Sequence, residues 1–232
     1  PTNVAVQLAR LGETPLLLSV VGQDPMGMRV LQHLAREGVD LRFVRRSPTR
    51  KTGLTFIQVD SDGERQFFPW RKSAADEEFC EDDLSPDAFQ DIHLLHHGTV
   101  GLRGPKSRVA TQRAVQMARA SGALISLDVN LRFGVFEDPA ELKTLAIHAL
   151  AQAHVLKATS EEAQFLFGEG DNQELLERIL SAGPKLVMLT HGAAGATIAT
   201  RQAVVQVDSP QVNVVDATGA GDAFTGVFLT CL

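Results

Sequence analysis

Cysteine, basic clusters and long apolar runs are all scarce in this 232-residue chain, and each scarcity removes a class of function. Two cysteines, Cys80 and Cys231, cannot build a disulfide framework or a zinc site, so a reducing, cytoplasmic compartment is expected. No Lys/Arg cluster exceeds Arg45-Arg46 and the formal net charge is −6, which argues against nucleic acid or an anionic membrane as a partner. The longest apolar run, Leu16 to Val21, falls far short of a spanning helix, and no signal peptide precedes it. A Gly-x-Gly-x-x-Gly turn after the first strand pattern is lacking too, which counts against a nicotinamide dehydrogenase. The chain opens without Met and stops inside a helical pattern, so it reads as cut at both ends.

What is present suits one globular domain, residues 1–232, with a small appendage: 44% of residues are hydrophobic. Val4, Leu8 and Leu11 mark an opening helix, Leu16 to Val21 a strand, and Asp24-Pro25 starts a helix with Val30, Leu31 and Leu34 inward. From Lys51 the period changes to two, and the segment from about 51 to 71, turning at Asp60-Ser61-Asp62-Gly63, reads as an antiparallel hairpin. Its Phe56, Phe67, Phe68 and Trp70 either cover the core or form a lid. Further on, short apolar strands alternate with helices: His93 to Gly98, helix 107–120, Leu124 to Val129, helix 139–151, His154 to Lys157, helix 173–182, Leu186 to Leu189, and a hairpin from Ala196 to Val207. This order predicts an α/β fold whose mostly parallel sheet has helices on both faces.

Polar residues collect where those strands end, the place where ligands gather in open α/β sheets. Asp128 and Arg132 are either a surface ion pair or part of a site. Thr159-x-x-Glu162 is a capping box that alone accounts for both residues. His93, His96 and His97 invite a metal, but strand alternation sends His96 and His97 to opposite faces, so structural histidines are expected. Most informative is Asp216-Ala217-Thr218-Gly219-Ala220-Gly221-Asp222, fed by the strand-like Val212 to Val215. It leads into a helix with Phe224, Val227, Phe228 and Cys231 on one face. Two glycines let the backbone approach a ligand, and the first helical N–H groups welcome an anion. Asp222 in that first turn either stabilises its own helix or acts as a general base.

The string Asp-x-Thr-Gly-Ala-Gly-Asp resembles the C-terminal signature of the ribokinase-like (phosphofructokinase-B) family of sugar kinases. Asn3-x-Ala5, Gly12 and Gly22 stand at the spacing of its N-terminal signature, although Asn3 also reads as a helix cap. The resemblance implies ATP and Mg2+, with K+ in many members. It makes Asp222 the base and Gly219, Ala220 and Gly221 the anion hole. Asn3, Trp70, Arg71, Asn130 and Arg132 would contact sugar, the hairpin acting as lid. Lys157, Thr159, Glu162, Thr190, Gly192 and Gly195 would serve the nucleotide. Asp128 and, through water, Glu162 belong near magnesium, and Asp216 and Thr218 near potassium. Departures are Val129 for Pro, Thr159 for Asn, and Ala217. The implied partners are a small sugar and ATP, with a homodimer through the lid. Segments 95–99, 128–132 and 156–158 are most similar to fructokinases, and 52–54 and 71–74 also to 2-keto-3-deoxygluconate kinases. A catalytically silent sugar- or nucleotide-binding relative is the reading of another class.

Overall fold

The computed structural model describes residues 1–59, 65–136, 138–214 and 216–232. Its main sheet has six strands in the order β10-β9-β8-β7-β6-β5. Strands β5 (Leu94–Gly98), β6 (Leu124–Asp128), β7 (Val155–Thr159) and β8 (Leu186–Thr190) run parallel. Strands β9 (Ala196–Ala199) and β10 (Val204–Val207) close one side antiparallel. The parallel pairs are joined through α3 (Pro105–Ala120), α4 (Pro139–Leu150), and α5 (Ser160–Phe167) with α6 (Asn172–Ala182). Earlier in the chain, α1 (Thr2–Arg10) and α2 (Pro25–Arg36) flank a separate parallel pair, β1 (Ser19–Gly22) and β2 (Val44–Ser47). The last helix, α7, spans Ala220–Leu229.

Strands β6 to β8 are buried along most of their length and mainly apolar because helices cover both faces, as parallel sheets require; Asp128 and Lys157 are the buried charged exceptions. Leu127, Leu156, Val187 and Leu189 are fully buried with Leu142, Leu150, Leu175 and Ile179 from the helices. At about 25 cal/mol per Å² of apolar surface, each such side chain contributes roughly 1.5–3 kcal/mol. Local chemistry sets the helix ends: Asp24 accepts from Gly27 N–H at 2.9 Å, and Thr159 and Glu162 form the expected reciprocal capping box.

Several expectations need correction. Val30 and Leu11 are exposed, while Leu34 carries the inner face of α2. Residues 208–214 hold no regular strand, and Val212 and Val214 point into solvent; Val215 lies outside the described residues. Helix α7 buries Thr225, Gly226 and Leu229 rather than Val227 and Cys231. The cause is the close passage of α1: a Cβ on Gly226 would stand 2.7 Å from Gln7 Cβ and Cγ. The apolar spacing of α7 therefore reported a helix but not its inner face. The hairpin forms as β3 (Leu54–Val59) against β4 (Arg65–Trp70), in register Leu54 to Trp70; its turn lies outside the described residues. Phe56, Phe68 and Trp70 are exposed rather than covering the core, with Phe56 and Trp70 rings 5.9 Å apart.

His96 and His97 separate as strand alternation requires. His96 Nδ1 lies 3.0 Å from Ser126 Oγ on β6, whereas neither His97 ring nitrogen has a hydrogen-bond partner among the described residues. Burial pushes His97 down to about 4 and His96 well below its ordinary value. Both stay neutral in the fold and bind protons more readily once unfolded. Stability should therefore rise with pH between about 4 and 6.5, by up to about 3 kcal/mol for His97 alone. Asp128, raised to about 6 by burial, works against this slope over most of that window, up to about pH 6, so the climb is the excess of the two histidines over this one carboxyl. Melting temperatures across that range should climb, and His97→Gln should flatten the climb; an unchanged slope in the variant would contradict the assignment.

Candidate active site

The carboxyl ends of β6 and β7 put Asp128 beside Lys157, residues that are register partners in the sheet. Their side chains are 4% and 7% exposed, and Lys157 Nζ lies 3.2 Å from Asp128 Oδ1. That oxygen nevertheless has no hydrogen-bond donor in line, so the pair is held by charge more than by directed bonding. Asp128 rises to about 6 first because it is desolvated; Lys157 opposes the shift, and Glu162 and Asp222 reinforce it. Four charged groups thus share one low-dielectric neighbourhood.

Asp222 enters from α7. Gly219, in the left-handed region at φ 83°, turns the chain into the helix, a conformation that glycine adopts without strain. Thr218 N–H donates to Asp216 Oδ1 at 2.7 Å, which tightens the approach. Ala220 N–H donates to the Ala217 carbonyl at 3.1 Å, so the first-turn amides of Gly221 and Asp222 are the ones that helix geometry leaves open to an anion. A Cβ on Gly221 would stand 3.4 Å from Lys157 Nζ, so the buried ammonium lies directly under this turn. From the other end of the sequence, Asn3 Nδ2 donates to Asp222 Oδ2 at 2.9 Å across 219 residues. Asn3 lies inside α1 and Pro1 occupies the cap position, so the capping reading of Asn3 falls away.

The other expected sugar contacts divide. Asn3, Arg71, Asn130, Arg132 and Asp222 line one open cleft of about 1010 Å³. Asn130 is held at φ 39°, and Thr99, fully buried, donates its hydroxyl to the Val129 carbonyl at 2.8 Å and the Asn130 carbonyl at 3.3 Å. Non-glycine residues kept in that region cluster at functional sites. Thr99 directly follows β5, and only the packing of β5 beside β6 brings it to residue 130. Trp70 is 74% exposed and stands with Phe56 on the hairpin, away from this cluster.

Among the residues expected to serve the nucleotide, Glu162 is heavily engaged: Oε1 accepts from Leu131 N–H at 2.7 Å and Oε2 from Thr159 N–H at 2.9 Å. Among the described residues no group of three or more His, Cys, Asp or Glu side chains could cage a metal. Thr190 Oγ1 donates to the Ala158 carbonyl at 3.4 Å, and His191 bridges Ser160 Oγ at 2.7 Å and Thr197 Oγ1 at 2.8 Å, bracing the turn through Gly192 and Gly195. Gly195, at φ 95°, admits no side chain because a Cβ would meet the Val207 carbonyl.

Known proteins are similar to this chain in sequence and in fold. A fructokinase of Vibrio alginolyticus is 34% identical over 232 residues, covering 100% of this chain and 75% of that protein. One of Klebsiella pneumoniae is 34% identical over 233 residues, with the same two coverages. The crystal structure of the Vibrio cholerae O395 fructokinase bound to fructose, ADP and a calcium ion superposes with a TM-score of 0.92 at 36% identity, covering 99% of this chain and 74% of that one. A putative ribokinase II from E. coli in complex with ATP and Mg2+ gives 0.91 at 28% identity, covering 100% and 74%. Among the described residues no helix is long and apolar enough to cross a membrane. The pfkB family carbohydrate kinase model matches residues 1–232, and with the strands, the glycine turn and Asp222 in place the chain belongs to that family of sugar kinases.

Proposed function

We propose that the protein transfers the γ-phosphoryl group of ATP to a hydroxyl of fructose, with Asp222 as general base. The observation that carries this reading is the Asp222 carboxylate, oriented by Asn3 at 2.9 Å on the helix turn beneath which Lys157 is buried. The sugar hydroxyl gives its proton to Asp222 as its oxygen attacks phosphorus, and the bond to the departing ADP oxygen breaks. First-turn amides at Gly221 and Asp222, with the Lys157 ammonium below them, stabilise the charge on the transferring group. Asp128 keeps that ammonium in place. Asn130 and Arg132 hold the sugar, and the 192–195 turn takes the nucleotide. Glu162 and Asp128 would serve a magnesium ion bound with the nucleotide through water, and that ion would neutralise phosphate charge. Free Cys80 and Cys231 suit a reducing cytoplasm.

Two smaller assignments accompany this one. Potassium held near Asp216 and Thr218 would tighten the glycine turn, so replacing it with a bulky organic cation should slow turnover; indifference removes the site. The exposed Phe56, Phe68 and Trp70, which the register places on one face, give the hairpin an apolar face suited to pairing with a second copy. Sedimentation should show a dimer that Trp70→Glu dissociates, and a monomer at all concentrations would exclude it.

The base is tested by Asp222→Asn, which keeps size and helix position. Loss of a positioned acid–base group predicts a fall in kcat of roughly 10²–10⁴-fold, with fructose KM moving far less. If Asp222 serves only its helix, the variant loses a few tenths of a kcal/mol of stability, its rate hardly changes, and the catalytic assignment is wrong.

A further inference from the structure

The two stems of the β3–β4 hairpin are clamped together at the wall of the sugar cleft. On the entry side, Thr52 N–H donates to Asp24 Oδ2 at 2.8 Å, and Gly22 N–H donates to Thr52 Oγ1 at 2.9 Å. The exit side is tied to it by Ala75 N–H donating to the Lys51 carbonyl at 2.8 Å. Gly53 meets Arg71 face to face: a Cβ there would stand 3.0 Å from Ala74 Cβ and 3.4 Å from both Arg71 Cγ and Nε. The Arg71 side chain therefore lies along bare glycine backbone, joining one stem to the other.

Its guanidinium is held in turn. Arg71 Nη2 donates to Asp76 Oδ2 at 2.5 Å, from the 3-10 turn Ala75–Glu78. The next residue of that turn, Glu77, pairs with Arg103, and Arg103 Nη2 donates to the Arg71 carbonyl at 3.3 Å. Ser73, at φ 57°, makes the tight bend that brings Asp76 back toward Arg71. Arg71, Asp76, Glu77 and Arg103 all line the cleft that holds Asn3 and Asp222.

We propose that Asp76 is a positioning residue for sugar binding, fixing Arg71 where one side chain both faces the sugar and joins the hairpin stems. This rests on the sugar-kinase reading above. A guanidinium has five N–H donors in a rigid plane, so anchoring one nitrogen on Asp76 aims the rest. Occupation of the cleft and the pose of the hairpin are then read through the same residue.

The test compares Asp76→Asn, Asp76→Glu and Gly53→Ala with the wild type in the full-length protein, using fructose and ATP kinetics and hydrogen exchange of residues 54–59 and 68–70. Asp76→Asn should raise the fructose KM by about 10- to 100-fold, the worth of one charge-assisted hydrogen bond, and leave the ATP KM within about threefold. Asp76→Glu should recover part of that loss. Gly53→Ala should reproduce the defect by pushing Arg71 off its seat. Without any substrate, the stems should already exchange faster in Asp76→Asn than in the wild type. An unchanged fructose KM, or equal rises for fructose and ATP, would overturn the proposal. A wild type that transfers nothing to fructose removes the sugar reading alone, because the substrate-free exchange still decides whether Asp76 holds the stems.

Discussion

A buried ammonium dictates this site. Lys157 stands in the middle of β7 with its side chain 7% exposed, and a charge so placed is tolerable only beside a compensating one, which Asp128 supplies at 3.2 Å. Removing either partner leaves an uncompensated buried charge, at a cost of about 3–5 kcal/mol. Compensation is incomplete, since Asp128 Oδ1 lacks a hydrogen-bond donor and its carboxyl is pushed up to about 6. The ammonium therefore retains positive potential to present upward, through the gap left by Gly221, to whatever lies on the first turn of α7. A phosphoryl group in transfer is the ligand whose charge such a place suits.

The rest of the fold brings partners to that ammonium. Parallel β5 to β8 align their carboxyl ends, so residues far apart in sequence share one edge. Thr99, Asn130 and Glu162 then stitch the loops leaving that edge to one another through backbone carbonyls and amides. Helices α1 and α7 pack closely enough at Gly226 for Asn3 to reach Asp222, so residues 219 positions apart form one hydrogen-bonded pair. The hairpin stands outside this frame on its own stems.

The sequence was most legible where chemistry is local. Capping at Asp24 and Thr159 and the glycine turn into α7 need only neighbours within four residues, and the structure has them. The mostly parallel sheet covered on both faces followed from strands alternating with helices, because short, mainly apolar strands need cover on both faces. Contacts set by packing were not legible. The inner face of α7 depends on α1 crossing at Gly226, which no periodicity within residues 220–232 could report. Trp70 and Arg71 are neighbours in sequence, yet Trp70 closes β4 with its side chain exposed, while Arg71, just beyond the strand, lines the cleft. Asp76 drew no notice because an acidic residue in a short polar stretch carries no signal until Arg71 is seen against Gly53.

Whether this constellation performs phosphoryl transfer is decided most directly by following ATP and fructose with the full-length protein by phosphorus NMR. The account predicts that the γ-phosphorus resonance is lost as a sugar phosphate monoester and ADP appear in equal amounts. Protein that binds both ligands yet forms no sugar phosphate, or that releases inorganic phosphate instead, would contradict it.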